Sequence, residues 1–220
     1  MCPKKIKKPW PTKAAMEQVY QLNLWGANET KFYSGEGSHL SNYVEPYITV
    51  VSSFLSSFSI PPVVCDLGCG DFNIGRQLVK YSSNYIGVDI VNDLILHNKN
   101  IFNQKQLEFR CLDIANDPIP AGDCAIIRQV FQHLSNDEVQ QILKKLYQFK
   151  FVIITEHIPK HNFIPNIDIL SGQGIRLKKN SGLDVTAAPF NFKVIDKKQL
   201  LKLNVIAKNE LIVTTLYQMF

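Results

Sequence analysis

Three aspartates follow apolar segments at a spacing that could bring their carboxylates around one ligand. Asp66 follows the apolar run 63–65 and precedes two glycines, and Asp89 ends a second apolar run 23 positions later. Asp113 ends a third. A ribose-binding acid follows the glycine turn of nucleotide-binding folds at about this interval. If each run is a strand of a parallel sheet, the three carboxylates meet at the edge where open α/β sheets bind ligands.

The segment 66–78, Asp-Leu-Gly-Cys-Gly-Asp-Phe-Asn-Ile-Gly-Arg-Gln-Leu, predicts a tight turn between a buried strand and a helix. Gly68 and Gly70 lack the Cβ atoms that would keep the backbone away from a ligand. The start of the following helix presents N–H groups without intrahelical partners, which favours binding of polar ligands. We therefore interpret this stretch as a nucleotide-binding turn.

Length and composition indicate a single domain with a sizeable core. The chain has 220 residues, of which 45% are hydrophobic. No apolar run reaches the roughly 20 residues of a membrane helix, and the lysine-rich start has no following apolar segment of the kind found in secretory signals. The sequence therefore predicts a cytoplasmic protein.

Charge and cysteine content give little support for nucleic-acid or metal binding. The net charge is +5, and Lys4, Lys5, Lys7 and Lys8 supply four of these charges, so the remaining body is nearly neutral. The five cysteines favour reduced buried thiols over a disulfide framework. Cys65 and Cys69 are separated by three residues rather than two, which argues against a zinc knuckle.

Periodicity and turn signals predict alternating helices and strands. We expect helices from Thr12 to before Gly26 and over 43–58, 74–81, 91–102, 196–203 and the segment that Ser135 begins, and strands over 63–66, 85–90, 107–114, 124–127 and 149–155, with a closing hairpin around 208–210. Residues 156–193 have no clear periodicity. We expect one domain, 1–220, with residues 1–60 as a helical cap over the ligand site and residues 157–193 as a substrate-facing insertion.

The motifs in this order resemble the class I S-adenosylmethionine-dependent methyltransferases. The similarity rests on Asp-Leu-Gly-Cys-Gly, Gly-Val-Asp, Leu-Asp-Ile and the segment 128–135, Arg-Gln-Val-Phe-Gln-His-Leu-Ser. Together with Ser-Gly-Glu-Gly-Ser at 34–38, they are similar to a group of small bacterial methyltransferase-domain proteins. The resemblance implies an α/β fold, a Rossmann-like seven-stranded mostly parallel sheet with helices on both faces and a C-terminal antiparallel hairpin. It also implies S-adenosyl-L-methionine as the cofactor.

The resemblance also implies a set of cofactor-binding residues. Asp89 would hold the ribose hydroxyls. Arg128 would pair with a carboxylate of cofactor or substrate, or neutralise Asp66 or Asp113. The whole expected set is Ser34, Gly35, Asp66, Gly68, Gly70, Asp71, Asn73, Asp89, Ile90, Asp113, Ile114, Arg128 and Gln129.

Two other functions stay open at this point. A nicotinamide-dependent oxidoreductase would need Gly-x-Gly-x-x-Gly, but Asn73 stands at the third glycine position. The carboxylate of Asp66 would also repel a pyrophosphate and tolerate an ammonium and a sulfonium. The second alternative is a catalytically silent methyltransferase-like module that binds a partner. An insertion that fills the pocket would favour this module.

His133 and His157 are the candidate catalytic bases, because histidine is the usual proton acceptor at neutral pH. For each, the sequence favours a role in bracing a loop or lining the cofactor pocket over proton abstraction. No Asp/Asn-Pro-Pro-aromatic tetrad follows the fourth strand, and no Pro-Cys or Thr-Cys nucleophile is present. The sequence therefore favours a small-molecule or glycan acceptor over nucleic acid, without a metal ion.

Overall fold

The computed structural model describes residues 10–27, 30–205 and 208–220, and the lysine-rich start of the chain lies outside them. Seven strands form one sheet in the order β3-β2-β1-β4-β5-β7-β6. Their bounds are β1 Val63–Leu67, β2 Asn84–Asp89, β3 Leu107–Cys111, β4 Cys124–Arg128, β5 Phe151–Pro159, β6 Asp196–Val205 and β7 Glu210–Gln218. Strands β1 to β5 pair in parallel, and β7 pairs antiparallel with both β5 and β6. This confirms the predicted Rossmann-like sheet with its C-terminal hairpin.

Helices cover both faces of the sheet, as predicted. They are α1 Thr12–Gln21, α2 Ser41–Ser56, α3 Gly75–Leu78, α4 Asn92–Ile101 and α5 Asn136–Leu146. Alternate strand residues face opposite sides. On one face Cys65 and Leu67 pack in a cluster with α5, and on the other Val64 packs in a cluster with α2 and α3. Because both faces are buried, the central strands are mostly apolar, and their charged residues, such as Asp66 and Arg128, lie near the C-terminal ends.

The predicted helix over 196–203 is wrong, because this segment is the edge strand β6. It pairs with β7 from Asp196 opposite Gln218 to Val205 opposite Glu210, with a register shift between Gln199 and Leu201. Most of its side chains are exposed, and charged residues of this kind protect the outer edge of a sheet from pairing with other chains. Pairing with β7 therefore determines the conformation of this segment.

Several predicted boundaries also differ. Strand β5 continues to Pro159, so His157 lies inside a strand and the irregular segment begins later than predicted. The crossover helix over 74–81 is only the four-residue α3 followed by a 3₁₀ turn, Val79–Tyr81. Helix α1 begins at Thr12, and the residue at its N-cap is Pro11. The Thr12 hydroxyl donates a hydrogen bond to the Glu138 carboxylate. No helix among the described residues has the length and apolarity to span a bilayer.

Candidate functional site

A cavity of about 710 Å³ lies at the C-terminal ends of the parallel strands, where β1 and β4 are neighbours and the strand order reverses. Its volume falls within the roughly 300–1,000 Å³ typical of small-molecule sites. The walls include twelve of the thirteen predicted cofactor-binding residues: Ser34, Gly35, Asp66, Gly68, Gly70, Asp71, Asp89, Ile90, Asp113, Ile114, Arg128 and Gln129. Asp66 and Asp89 near the ends of β1 and β2, and Asp113 two residues beyond the end of β3, which stops at Cys111 rather than at 114, therefore line one space.

The glycine turn keeps its shape through backbone conformation and close packing. Gly68 has φ 92° and Gly70 has φ 55°, values that strain residues with a Cβ atom. A Cβ at Gly68 would lie 2.3 Å from Cγ2 of Val130, and one at Gly70 would lie 2.5 Å from Oγ of Ser34. Close contact with the protein's own side chains is thus a reason for these glycines that the sequence did not reveal.

The carboxylate of Asp89 ties the end of β2 to the glycine turn. Its Oδ2 accepts the backbone N–H of Gly70 at 3.1 Å, and its Oδ1 accepts that of Val91 at 3.0 Å. Burial raises the pKa of Asp89, and these backbone hydrogen bonds oppose the shift. A carboxylate has about four lone-pair positions, so Asp89 can still accept hydrogen bonds from a ligand.

Asp66 and Asp113 have different surroundings. The Tyr85 hydroxyl donates to Oδ2 of Asp66 at 2.9 Å, and burial raises the pKa of Asp66 to about 7. Asp113 instead stabilises its own loop, where its carboxylate accepts the backbone N–H of Ala115 and the side-chain amide of Asn116. A cation bound beside Asp66 would favour its ionised form.

Asp71 holds the loop at 34–38 against the glycine turn. Its Oδ2 accepts the backbone N–H of Ser34 at 2.8 Å and lies 2.6 Å from Nε2 of His39. The Ser34 hydroxyl in turn accepts the backbone N–H of Asp71 at 2.9 Å. Within this loop Glu36–Ser38 form a short 3₁₀ helix. The other carboxylate oxygen of Asp71, Oδ1, accepts the backbone N–H of Asn73.

Asn73 and Arg128 donate hydrogen bonds to the loop at 34–38. Asn73 does not line the cavity, and its amide donates to the Ser38 carbonyl at 2.7 Å. Arg128 donates to the Gly37 carbonyl at 2.5 Å and to the Ser38 hydroxyl at 3.2 Å, and its guanidinium lies over the Tyr47 ring. The structure shows no ion pair of Arg128 with Asp66 or Asp113. The contacts that Arg128 makes with the described residues are therefore those of a side chain that positions the loop at 34–38.

His133 is held in one tautomer. The side-chain carbonyl of Gln132 accepts the backbone N–H of His157 at 3.3 Å, so the Gln132 amide NH₂ faces Nε2 of His133, 3.2 Å away. Because the NH₂ donates, Nε2 accepts, and the ring proton lies on Nδ1, which donates to the Gly172 carbonyl at 3.1 Å. Burial lowers the pKa of His133 to about 4. The neutral ring braces the insertion, and its lone pair is already engaged.

His157 also lines the cavity but has a different set of contacts. Its Nδ1 lies 3.4 Å from Oε2 of Glu210 on β7. Its Nε2 is shielded from solvent and has no hydrogen-bond partner among the described residues. Burial, together with the nearby charges of Arg128 and Lys208, lowers the pKa of His157 to about 4. Of the two histidines, His157 has the unengaged ring nitrogen.

Sequence reasoning missed two buried ionisable residues that hold the segment after β4. Glu156 accepts the backbone N–H groups of Phe131 and Gln132 at 2.9 and 3.0 Å. Burial raises the pKa of Glu156 to about 8, and these two hydrogen bonds oppose the shift. Arg176, from the insertion, donates to the carbonyls of Phe131 and Leu134 at 2.7 and 2.8 Å. No local pattern indicates these roles, since the partners are backbone groups distant in sequence.

Arg176→Leu should destabilise the protein by about 3 kcal/mol, because it leaves buried carbonyls and the Asn136 side chain without their donor. In thermal unfolding this corresponds to a midpoint lower by roughly 6–12 °C for a chain of this size. The matched control is Arg110→Leu, which removes an exposed ion pair with Glu108 and should cost at most about 1 kcal/mol. Equal effects of the two substitutions would contradict this role of Arg176.

The segment between β5 and β6, which contains most of the predicted insertion 157–193, leaves the cavity open. Gln173 and Ile175 contribute to its wall, and the Gln173 amide donates to the Leu24 carbonyl at 3.0 Å. Trp25 lies against the His133 ring, with centroids 5.0 Å apart. These residues form an aromatic and polar wall around an unfilled space, which favours a ligand site over a filled, silent module.

In the part of the chain that the structure describes, no group of three or more His, Cys, Asp or Glu side chains has a geometry suited to a metal ion. The four described cysteines, Cys65, Cys69, Cys111 and Cys124, are free thiols. Burial raises the pKa of Cys65 to about 12, so this thiol stays protonated at neutral pH.

Residues 64–149 match the family model of a methyltransferase domain. No curated protein matches the sequence significantly. Many solved structures share the fold, although at low sequence identity.

Three solved structures illustrate the similarity. The N-methyltransferase NodS of Bradyrhizobium japonicum in complex with S-adenosyl-L-homocysteine has a TM-score of 0.65 at 10% identity, over 93% of this chain and 98% of that one. A SAM-dependent methyltransferase of Leishmania major has a TM-score of 0.63 at 12% identity, over 94% and 82%. The magnesium protoporphyrin IX methyltransferase of Synechocystis, with bound SAM, has a TM-score of 0.57 at 13% identity, over 96% and 99%.

These structural similarities establish the fold, and the family model spans the segment from β1 to α5, which contains the glycine turn and the three aspartates. The order of motifs, the seven-stranded topology and the family model agree. Residues 64–149 are therefore similar to a methyltransferase domain, and the chain has the fold of the S-adenosylmethionine-dependent methyltransferases described above.

Proposed function

We propose that this protein transfers the methyl group of S-adenosylmethionine to the oxygen or nitrogen of a small-molecule or glycan acceptor. The observation that carries the proposal is the single cavity in which Asp66, Asp89 and Asp113 meet. NodS, one of the structures that share this fold, was solved with S-adenosyl-L-homocysteine. The acceptor class rests on the near-neutral body and the absence of base-methylation motifs.

The residues of the cavity fit this cofactor. Asp89 retains acceptor capacity for two ribose hydroxyls at the end of β2. Ile90 and Ile114 provide apolar walls beside Asp113 for a base. Asp66 supplies a carboxylate next to the glycine turn, where a ligand with positive charge is tolerated and a pyrophosphate is not.

The cofactor would supply an activated methyl group on a positively charged sulfur. The protein's part is to hold the acceptor in line with that methyl group and to exclude water, since alignment in a dry pocket accounts for much of the acceleration in such displacements. Trp25 and Ile175 lie in the wall on the side of the insertion, and the loop held by Asp71 and Arg128 covers the other side. Few further catalytic groups are required.

The proposal is tested by native mass spectrometry of the purified protein with added S-adenosylmethionine or NADH, followed by transfer of labelled methyl groups into fractionated cell extract. We expect a one-to-one complex with S-adenosylmethionine, none with NADH, and label in the low-molecular-mass or glycan fraction. Binding of NADH alone would support the oxidoreductase. Cofactor binding without label in any fraction would support a silent module, and label in RNA or DNA would contradict the acceptor class.

A further inference from the structure

The cavity extends beyond the three aspartates expected to surround the cofactor. Asp66, Asp89 and Asp113 lie at or just past the ends of β1, β2 and β3, on one side of the sheet. The cavity continues over the ends of β4 and β5 and the start of β7, where His157 and Glu210 line it. If the first part holds the cofactor, the acceptor must lie in the second, which we call the acceptor half.

Large apolar side chains form one wall of the acceptor half. Trp25 lies against the ring of His133, with centroids 5.0 Å apart, and Leu24 and Ile175 line the cavity beside it. The Gln173 amide donates to the Leu24 carbonyl at 3.0 Å, so the segment after α1 is tied to the segment between β5 and β6. This wall is therefore held in place by contacts with the protein itself.

A second apolar wall comes from the start of α2. Leu40 is the N-cap residue of this helix, Tyr43 lies in its first turn, and both line the cavity. The loop before Leu40 is held over β4, because Arg128 donates to the Gly37 carbonyl at 2.5 Å. The two walls thus belong to different parts of the chain and border the same space.

Two leucines of these walls have much of their surface accessible. Leu24 is 37% exposed and Leu40 is 42% exposed, and both line the cavity. A single exposed leucine is ordinary, whereas several large apolar side chains around one cavity are typical of a site for an apolar ligand. The apolar part of a ligand would remove this surface from water, which favours binding.

Polar and charged side chains of the acceptor half make contacts with other described residues. Nδ1 of His157 lies 3.4 Å from Glu210, and the Gln132 side chain accepts the backbone N–H of His157. Lys208 lies 4.0 Å from Glu36, and both of these side chains are exposed. A sugar has a hydroxyl on most of its carbons and would need several free partners, since a desolvated hydroxyl without one is costly.

We propose that the acceptor is a small molecule with an apolar, ring-containing body, and not a glycan. Its body lies on Trp25, Leu24 and Ile175 from one wall and on Leu40 and Tyr43 from the other. This inference rests on the proposed methyl transfer and names the acceptor class of that reaction. The five side chains are specificity-determining residues, because they bind the part of the acceptor that does not react.

The test uses the two tryptophans of the chain as probes. Trp25 lines the cavity, whereas Trp10 is 62% exposed and lies outside it. Protein labelled with 5-fluorotryptophan is studied by ¹⁹F NMR, with Trp10→Phe to assign the signals and S-adenosylhomocysteine present to fill the cofactor part. We expect 2-naphthol, the apolar probe, to shift the Trp25 signal saturably and to leave the Trp10 signal unchanged. Methyl β-glucoside, the sugar probe, should shift neither signal.

Substitutions at the leucines separate contact with the probe from a general effect on the surface. Leu24→Asn and Leu40→Asn should each raise the dissociation constant of 2-naphthol by about fivefold, because each removes apolar contact area. The matched control is Leu22→Asn, since Leu22 is 60% exposed and lies outside the cavity. It should leave the constant within about twofold. Equal weakening by Leu22→Asn would contradict the assigned role of Leu24.

Three results would overturn the inference. One is a response to the glucoside with an affinity equal to or above that for 2-naphthol, which would support a glycan. The second is loss of the 2-naphthol response when S-adenosylhomocysteine is added, because the probe then binds in the cofactor part. The third is no response of Trp25 up to the solubility limit of 2-naphthol. Native mass spectrometry of the same samples measures binding of S-adenosylhomocysteine, so its absence would refute the methyltransferase proposal separately.

Discussion

Asp89→Ala should raise the dissociation constant for S-adenosylmethionine by about 100-fold. Hydrogen bonds to a charged group contribute roughly 1.5–3 kcal/mol each, and a loss of about 3 kcal/mol corresponds to a factor on the order of 100. The substitution also removes the acceptor for the backbone N–H groups of Gly70 and Val91, so the turn that borders the cofactor loses a support. Isothermal titration calorimetry measures the change.

The control for this substitution is Asp93→Ala, an exposed acid in the first turn of α4 with the same charge change. It should leave affinity within about twofold, as expected of an exposed surface substitution. Circular dichroism on both variants separates a binding defect from unfolding. Unchanged affinity in a folded Asp89→Ala variant would mean that the ribose is held elsewhere.

Cofactor binding should release close to one proton per complex near pH 6. In the empty site burial raises the pKa of Asp66 from its ordinary value of 3.8 to about 7, so its carboxyl group is protonated at pH 6. A positively charged ligand beside Asp66 favours the ionised form, and the proton leaves as the ligand binds. Affinity should then rise by up to about tenfold per pH unit between pH 5 and 7 and level off above pH 7.

The proton release is measured by titrations in buffers of different ionisation enthalpy. Asp66→Asn should abolish it, whereas Asp93→Asn should not, because Asp93 is exposed and outside the cavity. The raised pKa of Asp66 also makes the stability of the ligand-free protein depend on pH. Because the folded-state pKa is raised, the contribution of Asp66 to stability is complete below about pH 4 and is lost as the pH rises through 7. Equal proton release in Asp66→Asn would assign the effect to another group.

The meeting of Asp66, Asp89 and Asp113 at one cavity could be predicted from sequence because its signals are local. The order of apolar runs and terminal acids is enough to place Asp66, Asp89 and Asp113 at one edge of a parallel sheet, and the structure has them around one cavity. Strand content and the C-terminal hairpin are also local signals, which is why the fold class is confirmed.

The positions of His133, His157 and Arg176 depend on contacts between residues distant in sequence, which a local sequence pattern does not reveal. Gln132 determines the tautomer of His133 only because β5 brings the backbone of His157 within reach of its side chain. Arg176 binds carbonyls more than 40 positions away in sequence. For the same reason the helix expected over 196–203 is wrong: pairing with β7, which a local pattern does not contain, determines the conformation of β6.

The most direct test is a crystal structure of the protein with S-adenosylhomocysteine. The account predicts one ligand in the cavity, with its ribose hydroxyls on the Asp89 carboxylate, its adenine beside Asp113 and Ile114, and its sulfur on the side of the site that His157 lines. A ligand bound outside this cavity, or one in the cavity with its ribose away from Asp89, would contradict it.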